Sequence, residues 1–335
     1  MKENHSSMGK YSNPFTATLA GIVNIFKRND PVGDLHANDR IDGKTCLVTG
    51  ANSGLGFAVA CQLAERGGEV IMACRSGIPE AGERARKLTG LDRFKMMNID
   101  LTNRGSIHSF IERLKSDGTT IDILVFNAAM VPGGSRKNAD GLDEMFMVNY
   151  LSKFILVNAL IENKLINTSE ETLPRIIYVS SESHRSGEDL NFNDFGKYEE
   201  YTMGKVIALY GYYKLHLNTL ASELSRKLNK EGVRYSVHSL CPGAVNSNIA
   251  KEAPKFTQPL LKVVFGIFFQ APKKAAWPVI YLACSKSIEG QTGLYLHMKA
   301  RKNPDPRALD RNNGELLWKK SQELLDSLTS ESLQQ

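Results

Sequence analysis

From residue 41 onward the apolar positions fall into two alternating patterns. Short runs such as "TCLVTG", "EVIMACR", "FKMMNIDL", "IDILVFNAA", "RIIYVSS" and "YSVHSLCPG" are apolar almost throughout, as expected of strands buried on both faces. Between most of them, "FAVACQLAERG", "PEAGERARKL", "RGSIHSFIERLKSDG", "LDEMFMVNYLSKFILVNALIENKL" and "YYKLHLNTLASELSRKLNKEG" carry apolar residues at helical spacing. Strand and helix in strict alternation imply right-handed crossovers and a parallel sheet covered on both faces. The predicted fold class is α/β: a doubly wound parallel sheet in three layers, αβα, forming a single domain over residues 41–300. Residues 1–40 read as an appended arm, and residues 301–335 as a Pro-punctuated loop followed by an amphipathic helix.

Within the arm, "NPFTATLAGIVNIFKRND" sets Phe15, Leu19, Ile22, Val23 and Phe26 on one helical face, with Lys27 and Arg28 at its end. It is too short and too polar to span a bilayer, so two readings stand: packing on its own domain, or peripheral contact with a membrane. The composition is ordinary for a globular chain, with 42% apolar and 23% charged residues in 335. A net charge of +6, not gathered into basic blocks, gives no sign of a nucleic-acid partner. Five scattered cysteines (Cys46, Cys61, Cys74, Cys241, Cys284) have no metal-ligand spacing and read as reduced thiols of a cytoplasmic protein; association with the cytoplasmic side of a membrane is left open.

Candidate chemistry begins at the end of the first strand. "TGANSGLG", Thr49 to Gly56, sets three glycines between a strand and a helix. That geometry aims free backbone N–H groups and the positive end of a helix dipole at a phosphate. A dinucleotide bound there would cross the carboxyl ends of the neighbouring strands. The second of those strands ends on Arg75, where an acidic residue would bond a ribose 2′-hydroxyl; a guanidinium suits a 2′-phosphate instead, so the expected cofactor is NADP(H). Asp100 closes the third strand as an acceptor for adenine, and Asn127 with Ala128 and Ala129 lines the end of the next.

Tyr210 and Lys214 lie four apart on one helix face. A phenol with an ordinary pKa of about 10 is a poor acid near neutrality, and a neighbouring ammonium is expected to lower it. A tyrosine so tuned exchanges a proton with a carbonyl or alcohol oxygen while hydride moves to or from nicotinamide. Ser180 and Ser181 at a strand end can hold the reacting oxygen, and Asn149 is a polar residue on an otherwise apolar helix. His184, after "SSES", is expected to contact backbone or solvent. A second pair with the same spacing, Tyr201 and Lys205, lies nine residues earlier. Nine residues is two and a half helical turns, so both pairs cannot face one site on a continuous helix.

Over residues 41–320 these motifs resemble the short-chain dehydrogenase/reductase family: TGxxxGxG, an Asn-Ala-Gly-like "NAA", the helix asparagine, "VSS", YxxxK and the Pro-Gly turn of "CPGAVNS". The retinol-dehydrogenase-like branch is the most similar, through "NSGLG", "ACR", "NIDLT", "VNYL", "VSSESH" and "RNNGELLW". The resemblance implies a Rossmann-type fold. It implies Tyr210 as acid/base, Lys214 lowering its pKa and gripping the nicotinamide ribose, Ser181 orienting the substrate oxygen, and Asn149 positioning a water for a relay to Lys214. The cofactor contacts it implies are Gly50, Asn52, Ser53, Gly54, Leu55 and Gly56 in the turn, Arg75, Asp100, Leu101, Asn127, Ala128, then Tyr210 and Lys214, and finally Pro242, Gly243, Val245 and Ser247. Two positions depart from the pattern: Tyr213 precedes the lysine where a small residue is usual, and Ala129 replaces a glycine.

After Ser247 the family has a variable substrate lid, here at about 248–272, with Leu260 to Phe269 rich in bulky apolar groups. The expected activity is an NADP(H)-dependent interconversion of a hydrophobic alcohol and its carbonyl. The alternatives are a catalytically weak cofactor-binding scaffold and a lyase or epimerase on the same fold. Homo-oligomerisation is left open, and the lid is equally readable as packing on its own core or on a second subunit.

Overall fold

The computed structural model describes residues 30–168, 173–245 and 270–332. Its backbone is a nine-stranded sheet in the order β1-β9-β8-β7-β6-β5-β2-β3-β4. Six of these strands, β2 (Thr45–Thr49), β3 (Glu69–Cys74), β4 (Phe94–Asn98), β5 (Ile123–Phe126), β6 (Arg175–Val179) and β7 (Ser236–Cys241), are the ones legible as apolar runs, and all are parallel. β8 (Tyr295–His297) continues the parallel set, and β9 (Ala300–Lys302) and β1 (Asp30–Pro31) close that edge antiparallel. These three short strands were not expected. β1 also ties part of the predicted arm into the sheet edge.

Helices cover both faces. On one side α1 (Gly54–Glu65), α2 (Glu80–Thr89), a short α6 (Pro272–Ala275) and α7 (Trp277–Cys284) pack around Val48, Met72, Val125 and Ile177. On the other, α3 (Arg104–Ser116), α4 (Glu144–Glu162), α5 (Met203–Leu228) and α9 (Arg311–Ser332) pack around Leu47, Leu124, Phe126 and Tyr178; α8 (Pro306–Leu309) leads into α9. Alternate residues of each strand serve the two cores, as the strand period requires. By length and composition α4 could cross a membrane, but 72% of that stretch is buried inside the protein, so it is a core helix. All five cysteines are buried and unpaired.

The chain runs β2–β3–β4 in one direction and returns to place β5 on the far side of β2, which opens a crevice above the carboxyl ends of β2 and β5. Two details aim helices at it. Asp143 caps α4 by accepting from the Phe146 N–H at 2.8 Å, and residues Met147–Leu151 then form a π turn at Asn149. α5 begins at Met203, ahead of the helical stretch read from sequence around Tyr210. The arm helix at 13–28, Ser247 and most of the predicted lid lie outside the described residues; Gln270 at the far end of the lid forms a single bridge with Val245.

Candidate active site

A cavity of about 500 Å³ occupies the crevice. Its floor is the glycine turn. A side-chain carbon at Gly56 would fall on Asn127 Nδ2 and the Gly50 carbonyl, and one at Gly50 would press on Ala128 at 3.0 Å. These glycines are thus required first by the chain's own packing, because the turn is drawn against the end of β5. Asn127 does the drawing: its Nδ2 donates to the carbonyls of Thr49 (3.0 Å) and Gly50 (3.2 Å), while Thr49 Oγ1 accepts from the Asn127 and Ala128 N–H groups. The first turn of α1 therefore faces the cavity with no side-chain cap on its N–H groups. Asn52, Ser53, Gly54 and Leu55 line the same floor.

Arg75 stands exposed at the rim beyond β3, and its guanidinium has no hydrogen bond or ion pair among the described residues. Asp100 uses Oδ1 to accept from the Thr102 N–H (2.9 Å) and hydroxyl (2.7 Å). Leu101, Thr102, Pro242, Gly243 and Val245 complete that wall. An uncapped helix terminus, a tight glycine turn and a guanidinium with no partner among the described residues are together a fit for the phosphates of a dinucleotide.

At the other end the cavity is lined by Ser180, Ser181, Tyr210 and Lys214. Gly211 explains how a helix comes so near the β6 loop: a methyl there would lie 2.6 Å from the Ser183 carbonyl. Ser181 caps the turn Glu182–Arg185, its Oγ accepting from the Ser183 N–H at 3.3 Å, which leaves the hydroxyl proton free to donate. His184 is fully buried beneath it. Its Nε2 accepts from the Asp305 N–H at 3.0 Å, so the ring proton is on Nδ1 and donates to the Ser181 carbonyl at 2.6 Å. Burial lowers its pKa to about 4, so it stays neutral and serves backbone positioning. Glu182 is pushed up by burial but held down more strongly by Arg185, Lys302 and Tyr295, at about 2.

Lys214 Nζ donates to the Val179 carbonyl at 2.8 Å and sits 5.5 Å from the centre of the Tyr210 ring. The expected lowering of the Tyr210 pKa is absent from the protein alone. Burial pushes the phenol up, with the Cys241 thiol adding to it, although part of the ring surface is open to the cavity. The desolvation falls on Lys214 as well and lowers it to about 8. For both groups loss of hydration is the largest cause of the shift.

Asn149, expected to position a water for a relay to Lys214, does not present its side chain to the cavity. It is buried and not among the cavity residues; its Oδ1 accepts from the Met130 N–H (3.0 Å) and its Nδ2 donates to the Met130 carbonyl (2.8 Å). The second Tyr–Lys pair is separated from the cavity. Tyr201 precedes α5 and donates to Asp143 Oδ2 at 2.7 Å, while Lys205 is exposed. Tyr213 turns away into a cluster with Phe146, Tyr212 and His216. Sequence reasoning did not single out Met130, Thr102 or Arg136, which also line the cavity; Arg136 pairs with Glu144 at 2.8 Å. Only Arg136 carried a signal, a cation in a glycine-rich loop.

Tyr201→Phe should lower stability by about 1–3 kcal/mol, because the buried Asp143 carboxylate loses a donor, while leaving turnover unchanged. Thermal unfolding and steady-state rates on one preparation check this.

Residues 44–191 match the family model described as short chain dehydrogenase. Retinol dehydrogenase 14 of Mus musculus is 33% identical over 290 residues, covering 82% of this chain and 84% of its own. Polyprenol dehydrogenase of Homo sapiens is 29% identical over 283 residues, covering 84% of each. Among solved structures, the Pseudomonas aeruginosa RhlG/NADP active-site complex superposes with a TM-score of 0.60 over 79% of this chain and 98% of that one, at 21% identity, a likeness of fold. The chain belongs to the short-chain dehydrogenase family, in its retinol-dehydrogenase-like branch, and is an oxidoreductase of alcohols and carbonyls that uses a nicotinamide cofactor.

Proposed function

We propose that this protein is an NADP(H)-dependent oxidoreductase that interconverts a hydrophobic alcohol and its carbonyl, with Tyr210 as the general acid/base. The observation that carries the reading is the meeting, in one cavity, of the glycine turn with Arg75 at one end and Tyr210, Lys214 and Ser181 at the other. The turn and α1 would hold the pyrophosphate, Arg75 the 2′-phosphate, Asp100 the adenine and Lys214 the nicotinamide ribose. When bound, the nicotinamide supplies or accepts the hydride.

The rest falls to the chain's own groups. Ser181 donates its hydroxyl proton to the substrate oxygen and fixes its place. Tyr210 gives that oxygen a proton in reduction and removes one in oxidation. Its raised pKa keeps the phenol protonated, which suits the reducing direction, and the Lys214 ammonium favours the phenolate left behind. Asn149, with both polar atoms of its side chain spent on Met130, would act on a relay water through the backbone of the π turn rather than through its amide. The names of the relatives, a retinol dehydrogenase and a polyprenol dehydrogenase, support a long apolar substrate. The test is a panel of apolar aldehydes with NADPH: cofactor oxidation matched by alcohol formation supports the reading, and tight cofactor binding without turnover on any of them refutes it.

A further inference from the structure

Behind the cavity lies a second layer of polar groups that the reaction as proposed does not use. Lys153 lies about one turn beyond Asn149 on α4, Asn218 one turn beyond Lys214 on α5, and Tyr178 one pleat before Ser180 on the same face of β6. Each is at most 1% exposed. Lys153 Nζ, Tyr178 OH and both polar atoms of the Asn218 amide have no hydrogen-bond partner among the described residues, and the same is true of Ser180 Oγ. Such groups are rarely left unpaired in a native interior, and buried water is their usual partner. The layer is in electrostatic reach of the site, since Lys153 feels the charge of Lys214.

Lys214 has three N–H donors, of which Val179 takes one. Around it are the Tyr210 ring of its own helix, the Cys241 thiol of β7 and, within electrostatic reach, Lys153 of α4, with Asn218 one turn further along α5. No carboxylate is among them. Lys153 has no counter-ion among the described residues, and burial and the Lys214 charge hold it well below the usual lysine range; in its neutral form the amine accepts a hydrogen bond as well as donating.

We propose that Lys153, Tyr178 and Asn218 enclose buried water that accepts a hydrogen bond from the rear of Lys214, and that Lys153 is thereby a positioning residue that sustains the Lys214 ammonium. The role in turnover rests on the function proposed above; the link between the two lysines does not, and it is tested without cofactor or substrate.

The experiment is NMR titration of the full chain labelled at lysine Cε, with the Lys214 signal assigned by its loss in Lys214→Arg. The wild-type Lys214 midpoint is expected near pH 8. Lys153→Met removes the acceptor and should move that midpoint down by about one pH unit, and Lys153→Gln, which keeps an acceptor, should restore most of it. A midpoint unchanged in Lys153→Met overturns the proposal, because a merely structural lysine would leave it so. A midpoint that rises also overturns it, since it would mean that Lys153 is charged and repels Lys214. Should Lys153→Met fail to fold, Tyr178→Phe and Asn218→Leu are read by the same criterion. Lack of turnover in the wild type would refute the proposed function and leave this titration readable.

Discussion

Replacing Tyr210 by Phe is expected to cut kcat about 10³-fold, the scale of a lost general acid, with the NADPH dissociation constant and melting temperature unchanged. The expectation comes from what the hydroxyl does not do. It makes no hydrogen bond within the protein among the described residues, so its removal breaks no structural contact. The ring remains to fill its place over Lys214 at 5.5 Å. A loss confined to kcat, with cofactor affinity kept, assigns the hydroxyl to the chemical step. A twofold effect would transfer the proton to another donor and leave Tyr210 as wall. Tyr201→Phe is the matched control, since it deletes the tyrosine hydroxyl of the second Tyr–Lys pair and should show the reverse pattern, lost stability and retained rate.

Arg75→Glu is expected to weaken NADPH binding by about 10²-fold while NADH binding holds or improves, the scale of one or two charge-assisted hydrogen bonds. Arg75 is exposed and its guanidinium has no hydrogen bond or ion pair among the described residues, so the substitution breaks none of these, and the change in preference isolates the 2′-phosphate. Isothermal titration of both cofactors against both proteins checks it. Equal weakening of NADPH and NADH would show that Arg75 contributes only general positive charge. A wild type that prefers NADH would overturn the choice of cofactor outright.

The sheet was legible because five of its strands are buried on both faces and advertise this as apolar runs, as in "ILVF" of β5, while β4 at the edge keeps enough apolar residues to be read as a sixth. β8, β9 and β1 escaped notice because they are only two or three residues long, and β9, beside the edge strand β1, is "ARK", whose pattern does not differ from a loop. The start of α5 was obscured by Gly204, which counts against a helix by propensity as Gly211 does. At Gly211 the tertiary requirement wins: contact with the Ser183 carbonyl excludes any side chain, and that same approach is what sets Tyr210 beside Ser181.

Of the candidate site, the residues read from motif and spacing that gather around the cavity lie on strand ends and the first turn of α1, where position follows from topology, and, for Tyr210 and Lys214, on one face within α5. What spacing does not reveal is direction. Asn149 falls at the right place on α4, yet its amide is spent on Met130, and the π turn that turns it there has no signature in the residue pattern. The balance between attraction and desolvation was likewise beyond reach. Four residues of separation place an ammonium near a phenol, but how much water each has lost depends on Val179, Cys241 and the packed layer behind them.

The most direct test of the account is isotopic. NADPH carrying deuterium at the transferable C4 position is incubated with the full-length protein and an apolar aldehyde that it consumes, and the product is analysed by mass spectrometry. The account predicts one deuterium on the carbinol carbon for each NADPH oxidised, with transfer suppressed in Tyr210→Phe. Product formed with no deuterium and no net loss of NADPH would contradict it, and would make the cavity the seat of a different reaction.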